Sequence, residues 1–516
     1  MIYVILGQTA SGKTSLAISL AKKFSLPIIS ADAFQCYKEM NIGTDKPSKK
    51  EISGIKYHFF DELDVSEDNS VYYFQKEMRK VIDNYISEGK DIIVCGGTSF
   101  YIKSLLYNYK FNDSDSEKKY YDYSLDELKK LLLSRDKNIF DSIDNNNPRR
   151  IIRALEKLDL GIDINKIKDE NDNSPIYPCI FFNLEVDKDI GNKLIDERVD
   201  LMFSKGLVKE VRGLLKKYPN NLNAFKAIGY SEFINCDNDE KIKELIKIHS
   251  HQYAKKQRTF IKHQFDNVIT ATKEEIFNYI SLDILLKKRT NLLFDGKTIN
   301  KIEKSKVLLA GLGGVGSVVA TSLVRIGFKN IYLIDYDKVE PTNLNRQLMY
   351  DTLDIGLNKT DVCYKKMKNI SPLANIKTFL VKIKSVNDIP DIKFDVILDC
   401  IDFVDGKVSL YLKSKKDESI FISALGAGFH IDSTKFIYST LNKASGPLAK
   451  NFISKLIEKG VSKEEIDKIM CVYPTDSKLK NKENETTIPS IINATNASGL
   501  AIISNLLKIF TYRSNL

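Results

Sequence analysis

The chain has 516 residues, more than one hydrophobic core ordinarily serves, so a single compact domain is excluded and two or three domains are expected. Hydrophobic residues make up 43% and charged residues 28% of the sequence, and these proportions exclude both wholesale disorder and a fibrous architecture. The net charge of +10 arises after residue 200, which permits a polyanionic partner without requiring one.

Cysteine usage and hydropathy exclude further classes of protein. The seven cysteines include no CxxC pair, which argues against a disulfide framework and against a four-thiolate zinc site. The sequence has no run of apolar residues long enough to span a bilayer, and its first residues lead into a glycine-rich loop instead of a signal peptide. We therefore expect a cytoplasmic protein with no membrane partner.

Hydrophobic patterning predicts two α/β units in chain order. Strands at 3–6, 26–30 and 90–95 alternate with helices, which is typical of a parallel sheet covered on both faces. The pattern restarts at Lys306 with a strand, a glycine turn, a helix and a second strand ending near Asp335. We therefore predict a phosphate-loop domain at 1–270 with a helical insertion at about 107–147, a connector at 271–300, and a Rossmann-like α/β domain at 301–516.

The first glycine loop has the sequence GQTASGKT and lies between a predicted strand and helix, the context that a phosphate loop requires. Its backbone amides would cradle a phosphate group, Lys13 would add a mobile positive charge, and the Thr14 hydroxyl could reach Mg²⁺. A chance glycine turn is the alternative. The predicted phosphate-binding residues are Gly7, Thr9, Ala10, Ser11, Gly12, Lys13 and Thr14.

Hydrolysis of a nucleoside triphosphate and nucleotide kinase activity are the ordinary uses of such a loop. Those enzymes usually hold Mg²⁺ with an aspartate at the end of an apolar strand. Here the strand at 92–95 ends in Gly96, Gly97 and Thr98, and its only acid, Asp91, stands at the opposite end. This weakens both alternatives and leaves them open.

Seven sequence blocks over residues 1 to about 265 resemble tRNA dimethylallyltransferase. They read GQTASGKT, ISADAFQCYKEMNIGTDKP, GGTSFYIKSLL, NNPRRIIRALE, ERVDLMFSKGLVKEV, KAIGYSE and YAKKQRTF, in the order that this family has them. The resemblance implies transfer of a dimethylallyl group from dimethylallyl diphosphate to N6 of the adenosine just 3′ of the anticodon, at tRNA position 37. The reaction consumes no ATP. Gln8 stands where the family usually has proline.

The resemblance also implies roles for individual residues. Asp32 is the predicted general base, because the exocyclic amine of adenine is a weak nucleophile, and Thr98 is predicted to position the reacting groups. Taken alone, Asp32 could be a helix N-cap and Thr98 a strand-end hydrogen bond. The segments implied to contact the tRNA anticodon stem-loop comprise Asp32, Ala33, Phe34, Gln35, Arg149, Arg150 and Arg153. A solvated helix face is the alternative for the arginines.

The second glycine loop, GLGGVG at 311–316, fits the dinucleotide fingerprint GxGxxG, with Asp335 at the end of the next strand. That motif alone is weak. The blocks that follow it, DYD, TNLNRQ, GLNK and DCID, resemble the adenylating domain of the ubiquitin-activating-like superfamily, which includes ThiF-like proteins. The resemblance implies ATP binding by Gly311, Gly313, Gly314, Asp335, Asn343, Arg346, Lys359, Asp402 and Arg289. It implies Mg²⁺ on Asp402, with Arg289 reaching the phosphates across a homodimer interface.

Within that superfamily, RTNLLFDGK, LGAGFHIDSTKF and MCVYPTD resemble tRNA threonylcarbamoyladenosine dehydratase over residues 283–511. The resemblance implies ATP-dependent cyclisation of threonylcarbamoyladenosine, and so a bifunctional protein whose halves both modify tRNA at the same position. An ATP-binding adaptor or sulfur-transfer partner without dehydratase activity is the alternative for the second half. Cys471 lies where relatives also carry a cysteine, although a lone cysteine is more often a packed thiol than a nucleophile.

Overall fold

The computed structural model describes residues 1–109, 111, 120, 122–159, 174–477, 479 and 488–512. Two β-sheets organise these residues, one in each half of the chain. The predicted fold class, two successive α/β units with parallel sheets, is confirmed.

The first sheet has six parallel strands in the order β3-β2-β4-β1-β5-β6. They are β1 Ile2–Leu6, β2 Ile28–Ser30, β3 Tyr57–His58, β4 Ile92–Cys95, β5 Cys179–Leu184 and β6 Ile269–Ala271. Strand β1 is central, and its side chains alternate between two cores: Val4 and Leu6 on one face of the sheet, Tyr3 and Ile5 on the other. The strands predicted near the first glycine loop are β1, β2 and β4.

Helices cover both faces of this sheet. The helices of this half are α1 Lys13–Phe24, α2 Val71–Ser87, α3 Ser99–Leu106, α4 Leu125–Arg135, α5 Lys137–Ser142, α6 Pro148–Asp159, α7 Lys188–Ser204, α8 Leu207–Lys217, α9 Asp239–Gln264 and α10 Lys273–Lys287. Helices α1 and α10 pack on the face that holds Tyr3, and α2, α3, α7, α8 and α9 pack on the opposite face.

A separate helical unit is inserted between α3 and β5. Helices α4, α5 and α6 close around a core of their own that includes Leu128, Leu132, Ile151 and Leu155. Helix α6 lies beyond residue 147, so the inserted helices continue past the predicted end of the insertion.

The second sheet has seven strands in the order β12-β13-β11-β10-β7-β8-β9, all parallel except that β12 runs antiparallel to β13. They are β7 Lys306–Ala310, β8 Asn330–Asp335, β9 Asn375–Leu380, β10 Val396–Asp399, β11 Ile420–Ala424, β12 Phe436–Thr440 and β13 Met470–Pro474. The helices of this half are α11 Gly296–Lys304, α12 Gly314–Ile326, α13 Lys359–Ile370, α14 Val404–Asp417, α15 Pro447–Glu458, α16 Lys463–Ile466 and α17 Ile492–Tyr512.

Residues 271–300, predicted as a connector, form helices that pack into both halves. Helix α10 buries Ile276 and Ile280 in the core of the first sheet, and the same core takes up Leu373 from the second half. Helix α11 lies so close to the end of α2 that a Cβ on Gly296 would stand 2.3 Å from the carbonyl oxygen of Ser87. In the described part of the chain, no helix has the length and apolar character needed to cross a bilayer.

Candidate active sites

Three segments predicted to carry chemistry meet at one edge of the first sheet. The phosphate loop follows β1, Asp32 follows β2 and Thr98 follows β4, and these strands are neighbours in the parallel sheet. The Thr98 hydroxyl oxygen accepts a hydrogen bond from the Ala33 amide at 3.1 Å, and the Thr98 amide donates to the Ala31 carbonyl oxygen at 3.1 Å. The turn after β2 and the turn after β4 are therefore joined directly.

Asp32 is held in a turn and not at the start of a helix. Its Oδ1 accepts hydrogen bonds from the amides of Phe34 at 3.0 Å and Gln35 at 3.2 Å. Burial raises the pKa of the Asp32 carboxyl above its ordinary value, although these two hydrogen bonds oppose the shift. A carboxylate with a raised pKa is a stronger base, which suits a group that must accept a proton.

The side chain of Gln35 is used within the protein. Its Nε2 donates to the carbonyl oxygen of Thr44 at 3.0 Å, and its Oε1 accepts from the Ser30 hydroxyl at 3.2 Å. Ala33 and Phe34 are half-buried. Both the oxygen and the nitrogen of the Gln35 side-chain amide, predicted to contact tRNA, are therefore hydrogen-bonded within the protein.

Two glycines let the turn after β4 pass close to its neighbours. A Cβ on Gly96 would stand 2.2 Å from the carbonyl oxygen of Ala31, which is backbone and cannot give way. A Cβ on Gly97 would stand 3.0 Å from Gln257 Nε2 and 3.6 Å from Asp32 Oδ2. The Asp32 carboxylate therefore lies beside the Gly97–Thr98 turn.

The phosphate loop forms a cradle around the buried side chain of Lys13. Its Nζ donates to the carbonyl oxygen of Gln8 at 2.5 Å, and burial lowers the pKa of Lys13 to about 8. Among the described residues, the buried polar atoms without a hydrogen-bond partner include Ser11 Oγ, Gln8 Nε2 and Arg198 Nε. The unpaired Ser11 hydroxyl, in the loop itself, fits an anion that brings its own acceptor oxygens.

Arg198 in α7 was not among the residues predicted for this site. Its positive charge adds to the effect of burial in lowering the pKa of Lys13 and opposes the effect of burial on the pKa of Asp32, and its guanidinium lies 3.5 Å from Asp45 Oδ2. It also lines a cavity of about 340 Å³ together with Asp45, Lys46 and Lys205. The signal was present in the block ERVDLMFSKGLVKEV, where it is the one arginine.

Near the phosphate loop, the Thr14 hydroxyl is the protein group suited to bind Mg²⁺. Thr14 is half-buried in the first turn of α1. Over the described ranges, no group of three or more His, Cys, Asp or Glu side chains could hold a metal ion. Mg²⁺ in this site would therefore be held by the Thr14 hydroxyl, by oxygens of a bound diphosphate and by water, which is a usual arrangement for this ion.

Helix α9 connects the phosphate loop with the Gly97–Thr98 turn. The Gln257 amide accepts from the Thr9 backbone amide and donates to the Gly97 carbonyl oxygen, each at 2.7 Å. Tyr253 donates to the same carbonyl oxygen at 2.8 Å, and Arg258 donates to Gln8 Oε1. No role was predicted for these three α9 residues, although they stand in the block YAKKQRTF.

The predicted tRNA-contacting arginines lie on α6. Arg150 and Arg153 are exposed, and the side chain of Arg149 lies outside the described part of the chain. Helix α6 packs on α4 in the separate core of the inserted unit, and this packing does not bring its arginines into the cluster of Asp32, Thr98 and the phosphate loop.

The second glycine loop joins β7 to α12 at the edge of the second sheet. Gly311 has φ +86°, and a Cβ on Gly316 would stand 1.7 Å from the Gly311 carbonyl oxygen, so both positions require glycine. Gly314 begins α12 and packs against Thr495, and a Cβ on Gly313 would lie in ordinary van der Waals contact, 3.8 Å from Gln347 Nε2. Gly313 itself is half-buried.

Two predicted ATP ligands, Asp335 and Lys359, lie beside this loop and form hydrogen bonds within the protein. Asp335 accepts from the amides of Leu312 at 2.6 Å and Asp337 at 2.8 Å, and burial raises the pKa of its carboxyl. Lys359, at the start of α13, donates to Asp337 Oδ2 at 2.9 Å. Asp335 therefore supports the loop that a nucleotide would contact.

The other predicted ATP ligands are spread over neighbouring turns. Arg346 is half-buried and donates to the Thr342 carbonyl oxygen at 2.8 Å, and buried Asn343 accepts from the Glu340 amide at 3.2 Å. Asp402 is exposed in the turn after β10. Arg289 is exposed at the end of α10, just before a turn of 3-10 helix at Thr290–Leu292, and does not belong to this group.

Cys471 is a packed thiol. It is fully buried in β13, and burial raises the pKa of its thiol well above the ordinary value. The negative charge of Asp399 adds to that shift. Asp399 itself is buried and accepts hydrogen bonds from Lys407 at 3.0 Å and from the Ser423 hydroxyl at 2.6 Å.

Comparison with known proteins divides the chain at the same place as its sheets. The family model described as IPP transferase matches residues 35–264, and the model of the ThiF family matches residues 288–515. A tRNA dimethylallyltransferase of Bacillus pumilus is 33% identical over 311 residues, covering 56% of this chain and 98% of that protein. One from Acetivibrio thermocellus is 36% identical over 294 residues, covering 53% of this chain and 92% of that protein.

Solved structures match each half. A tRNA isopentenylpyrophosphate transferase from Staphylococcus epidermidis is 34% identical, with a TM-score of 0.42, and covers 56% of this chain and 99% of its own. The tRNA N6-threonylcarbamoyladenosine dehydratase of E. coli is 25% identical, with a TM-score of 0.43, and covers 45% of this chain and 96% of its own.

Proposed function

This chain belongs to the tRNA dimethylallyltransferase family through its first half, and from that premise we propose that it transfers a dimethylallyl group from dimethylallyl diphosphate to N6 of the adenosine just 3′ of the anticodon. One observation carries the proposal: Asp32, Thr98 and the phosphate loop meet at the carboxyl ends of three neighbouring parallel strands. A base and an anion cradle are thus set side by side, as this transfer requires.

In the proposed reaction, the adenine amine attacks the allylic carbon. A carbon–nitrogen bond forms, the carbon–oxygen bond to the diphosphate breaks, and the oxygen takes the electron pair. Asp32 accepts the proton that the amine loses, and its raised pKa suits it to do so. The Thr98 hydroxyl, fixed by the Ala33 amide, holds the turn that carries Asp32 in register with the reacting atoms.

The leaving diphosphate gains negative charge in the transition state. Lys13, Arg198 and the amides of the phosphate loop other than that of Thr9 supply positive charge and donors at that position. Mg²⁺ held by Thr14 would neutralise part of the same charge. The diphosphate of the dimethylallyl donor occupies the phosphate loop in this proposal, so the reaction needs no nucleoside triphosphate.

The tRNA must present its adenosine outside the base stack, because the amine is otherwise inaccessible. Arg150 and Arg153 are exposed on α6, away from the Asp32 cluster, where they can bind phosphates of the anticodon stem-loop. The inserted helices would thus hold the tRNA while the edge of the sheet performs the transfer.

For the second half we propose ATP-dependent cyclisation of threonylcarbamoyladenosine in tRNA. A carboxylate oxygen of the substrate attacks the α-phosphorus of ATP and displaces diphosphate, and ring closure then expels AMP, which carries away the carboxylate oxygen. The position of the glycine loop at the start of α12 supports nucleotide binding, because a helix N-terminus attracts phosphate groups, with Asp335 at the ribose and Arg346 and Lys359 at the phosphates. Exposed Asp402 would hold Mg²⁺, which neutralises phosphate charge during the attack.

The sulfur-transfer alternative requires a reactive thiolate. Cys400 directly follows β10, and Cys471 lies in β13. Burial raises the pKa of both thiols. A protonated thiol is a poor nucleophile, which argues against sulfur transfer through these two residues.

We further propose a homodimer through the second half. Leu292 and Leu293, next to Arg289, have exposed fractions of 83% and 78%, and Leu353 is 89% exposed. Adjacent exposed apolar side chains such as Leu292 and Leu293 are candidates for burial in an interface. A second copy would bury them and bring Arg289 to the phosphates of its neighbour.

The test of the proposed function uses purified protein, unmodified tRNA and dimethylallyl diphosphate, with digestion to nucleosides and mass spectrometry. We expect dimethylallyl adenosine without ATP, and none from Asp32→Ala. With threonylcarbamoylated tRNA and ATP, we expect AMP, diphosphate and a nucleoside lighter by one water. A requirement of the first product for ATP would contradict the transfer mechanism, and AMP release independent of the modified tRNA would contradict the second proposal.

A further inference from the structure

The Gln257 side chain forms the one direct tie that the described contacts show between the phosphate loop and the Gly97–Thr98 turn. Its Oε1 accepts from Thr9 and its Nε2 donates to Gly97, each over 2.7 Å. The opposite orientation of the amide would face donor with donor and acceptor with acceptor, so both contacts together fix it. The separation of the two loops is therefore set by the width of one amide group.

The surroundings of Gln257 make this tie rigid. The side chain is 3% exposed, so water does not compete for its partners. Tyr253, one helical turn earlier, donates to the same Gly97 carbonyl oxygen, and Arg258 holds Gln8 at the start of the phosphate loop. Three residues of α9 thus hold the two loops from the same side.

We propose that Gln257 is a positioning residue for prenyl transfer, which holds the diphosphate site at a fixed distance from the Gly97–Thr98 turn. This proposal rests on the proposed function of the first half. The Thr9 amide, already donated to Gln257, orients the phosphate loop instead of binding the diphosphate. The Gly97 carbonyl oxygen fixes the turn that carries Thr98, and Gly97 lies beside the Asp32 carboxylate. The leaving group and the base are thereby held in register.

This role predicts coupled kinetic effects. Displacement of reacting groups by about 1 Å costs on the order of 100-fold in rate, and loss of one buried hydrogen bond changes binding by roughly five- to tenfold. Gln257→Met keeps the length of the side chain and removes both contacts. We expect kcat to fall at least about tenfold and KM for dimethylallyl diphosphate to rise at least about fivefold.

Tyr253→Phe provides the second variant. It removes one donor to Gly97 and leaves the tie to Thr9 in place, so we expect kcat to fall and KM for dimethylallyl diphosphate to stay within about twofold of wild type. Gln252→Met is the matched control, because Gln252 is exposed on the same helix. Its affinity for inorganic diphosphate should equal that of wild type.

The experiment combines steady-state kinetics with calorimetric titration of inorganic diphosphate and a thermal unfolding midpoint for each variant. A Gln257→Met protein that unfolds at lower temperature but keeps wild-type kcat, KM and diphosphate affinity would overturn the proposal, because Gln257 would then serve stability alone. Absence of product from wild-type protein would instead overturn the proposed function. In that case the titration still decides whether Gln257 shapes the anion site.

Discussion

The phenolic oxygen of Tyr3 donates a hydrogen bond of 2.8 Å to Asp283 Oδ2, although 280 positions separate the two residues in sequence. Tyr3 belongs to β1 and Asp283 to α10. The same carboxylate forms an ion pair with Lys329, which precedes β8 in the second half, and lies 3.3 Å from Lys287 Nζ. One buried carboxylate therefore joins the two halves of the chain.

Asp283→Asn should be strongly destabilising. The substitution leaves the buried ammonium groups of Lys287 and Lys329 without this counter-charge, and breaking a buried pair costs about 3 to 5 kcal/mol. Chemical denaturation of both proteins measures the difference. Asp391→Asn is the control, since the Asp391 side chain is 95% exposed, and should change the free energy of unfolding by less than about 0.5 kcal/mol. Equal effects of the two substitutions would contradict the account of this cluster.

Gly296→Ala should disturb the contact between the halves. The new Cβ would stand 2.4 Å from the Gly89 amide nitrogen as well as close to Ser87, and backbone atoms can move only with their helix. We expect a loss of about 1 to 3 kcal/mol, measured by calorimetry. Gly213→Ala is the matched control, because a Cβ there meets no atom within 4 Å and α8 should gain up to about 1 kcal/mol. A Gly296→Ala protein as stable as wild type would show that α2 and α11 are not in contact.

Binding of dimethylallyl diphosphate should weaken above about pH 8. Burial lowers the pKa of Lys13 to about 8, and only the protonated ammonium attracts the diphosphate. Below that pH the group is charged, and as pH rises through it the charge is lost, so KM should rise between about pH 7 and about pH 9. Lys13→Met should raise KM at the lower pH and remove the dependence. A wild-type KM that stays flat over this interval would contradict the role of Lys13.

Cys471 should resist alkylation at neutral pH. It is fully buried and its pKa is raised by burial, whereas Cys236 is partly exposed. Treatment with iodoacetamide followed by peptide mass spectrometry should show modification of Cys236 first, with the ATP-dependent activity retained. Early modification of Cys471 together with loss of the ATP-dependent activity would contradict this prediction and make Cys471 a candidate nucleophile.

Much of the fold could be predicted from local patterns. Both glycine loops lie between the strands and helices that their spacing predicts, because a strand, a tight turn and a helix are each encoded by adjacent residues. The connector at 271–300 was different. Its helical pattern could be read locally, but only tertiary packing pairs the preceding strand β6 with β5 and places Asp283 of α10 beside Lys329.

The candidate site was predictable in part for the same reason. Asp32 and Thr98 stand directly after strands, where parallel topology brings side chains to one edge. Gln257 contacts Thr9 across 248 positions, and no periodicity relates the two. Arg198 acts on Lys13 and Asp32 from α7 through its charge, and its signal was its place in the block ERVDLMFSKGLVKEV. The roles assigned to Asp32, Thr98 and the ATP ligands stay predictions.

The most direct test of the central claim, that one chain carries two separate reactions, is a crossed assay of Asp32→Asn and Arg346→Ala. Each variant and wild type receive dimethylallyl diphosphate and ATP, with unmodified tRNA in one set and threonylcarbamoylated tRNA in the other, and nucleosides are measured by mass spectrometry. Asp32→Asn should lose dimethylallyl adenosine by about 100-fold or more and keep the ATP-dependent loss of water, and Arg346→Ala should do the reverse. Loss of both products in either variant, or neither product from wild type, would contradict the account.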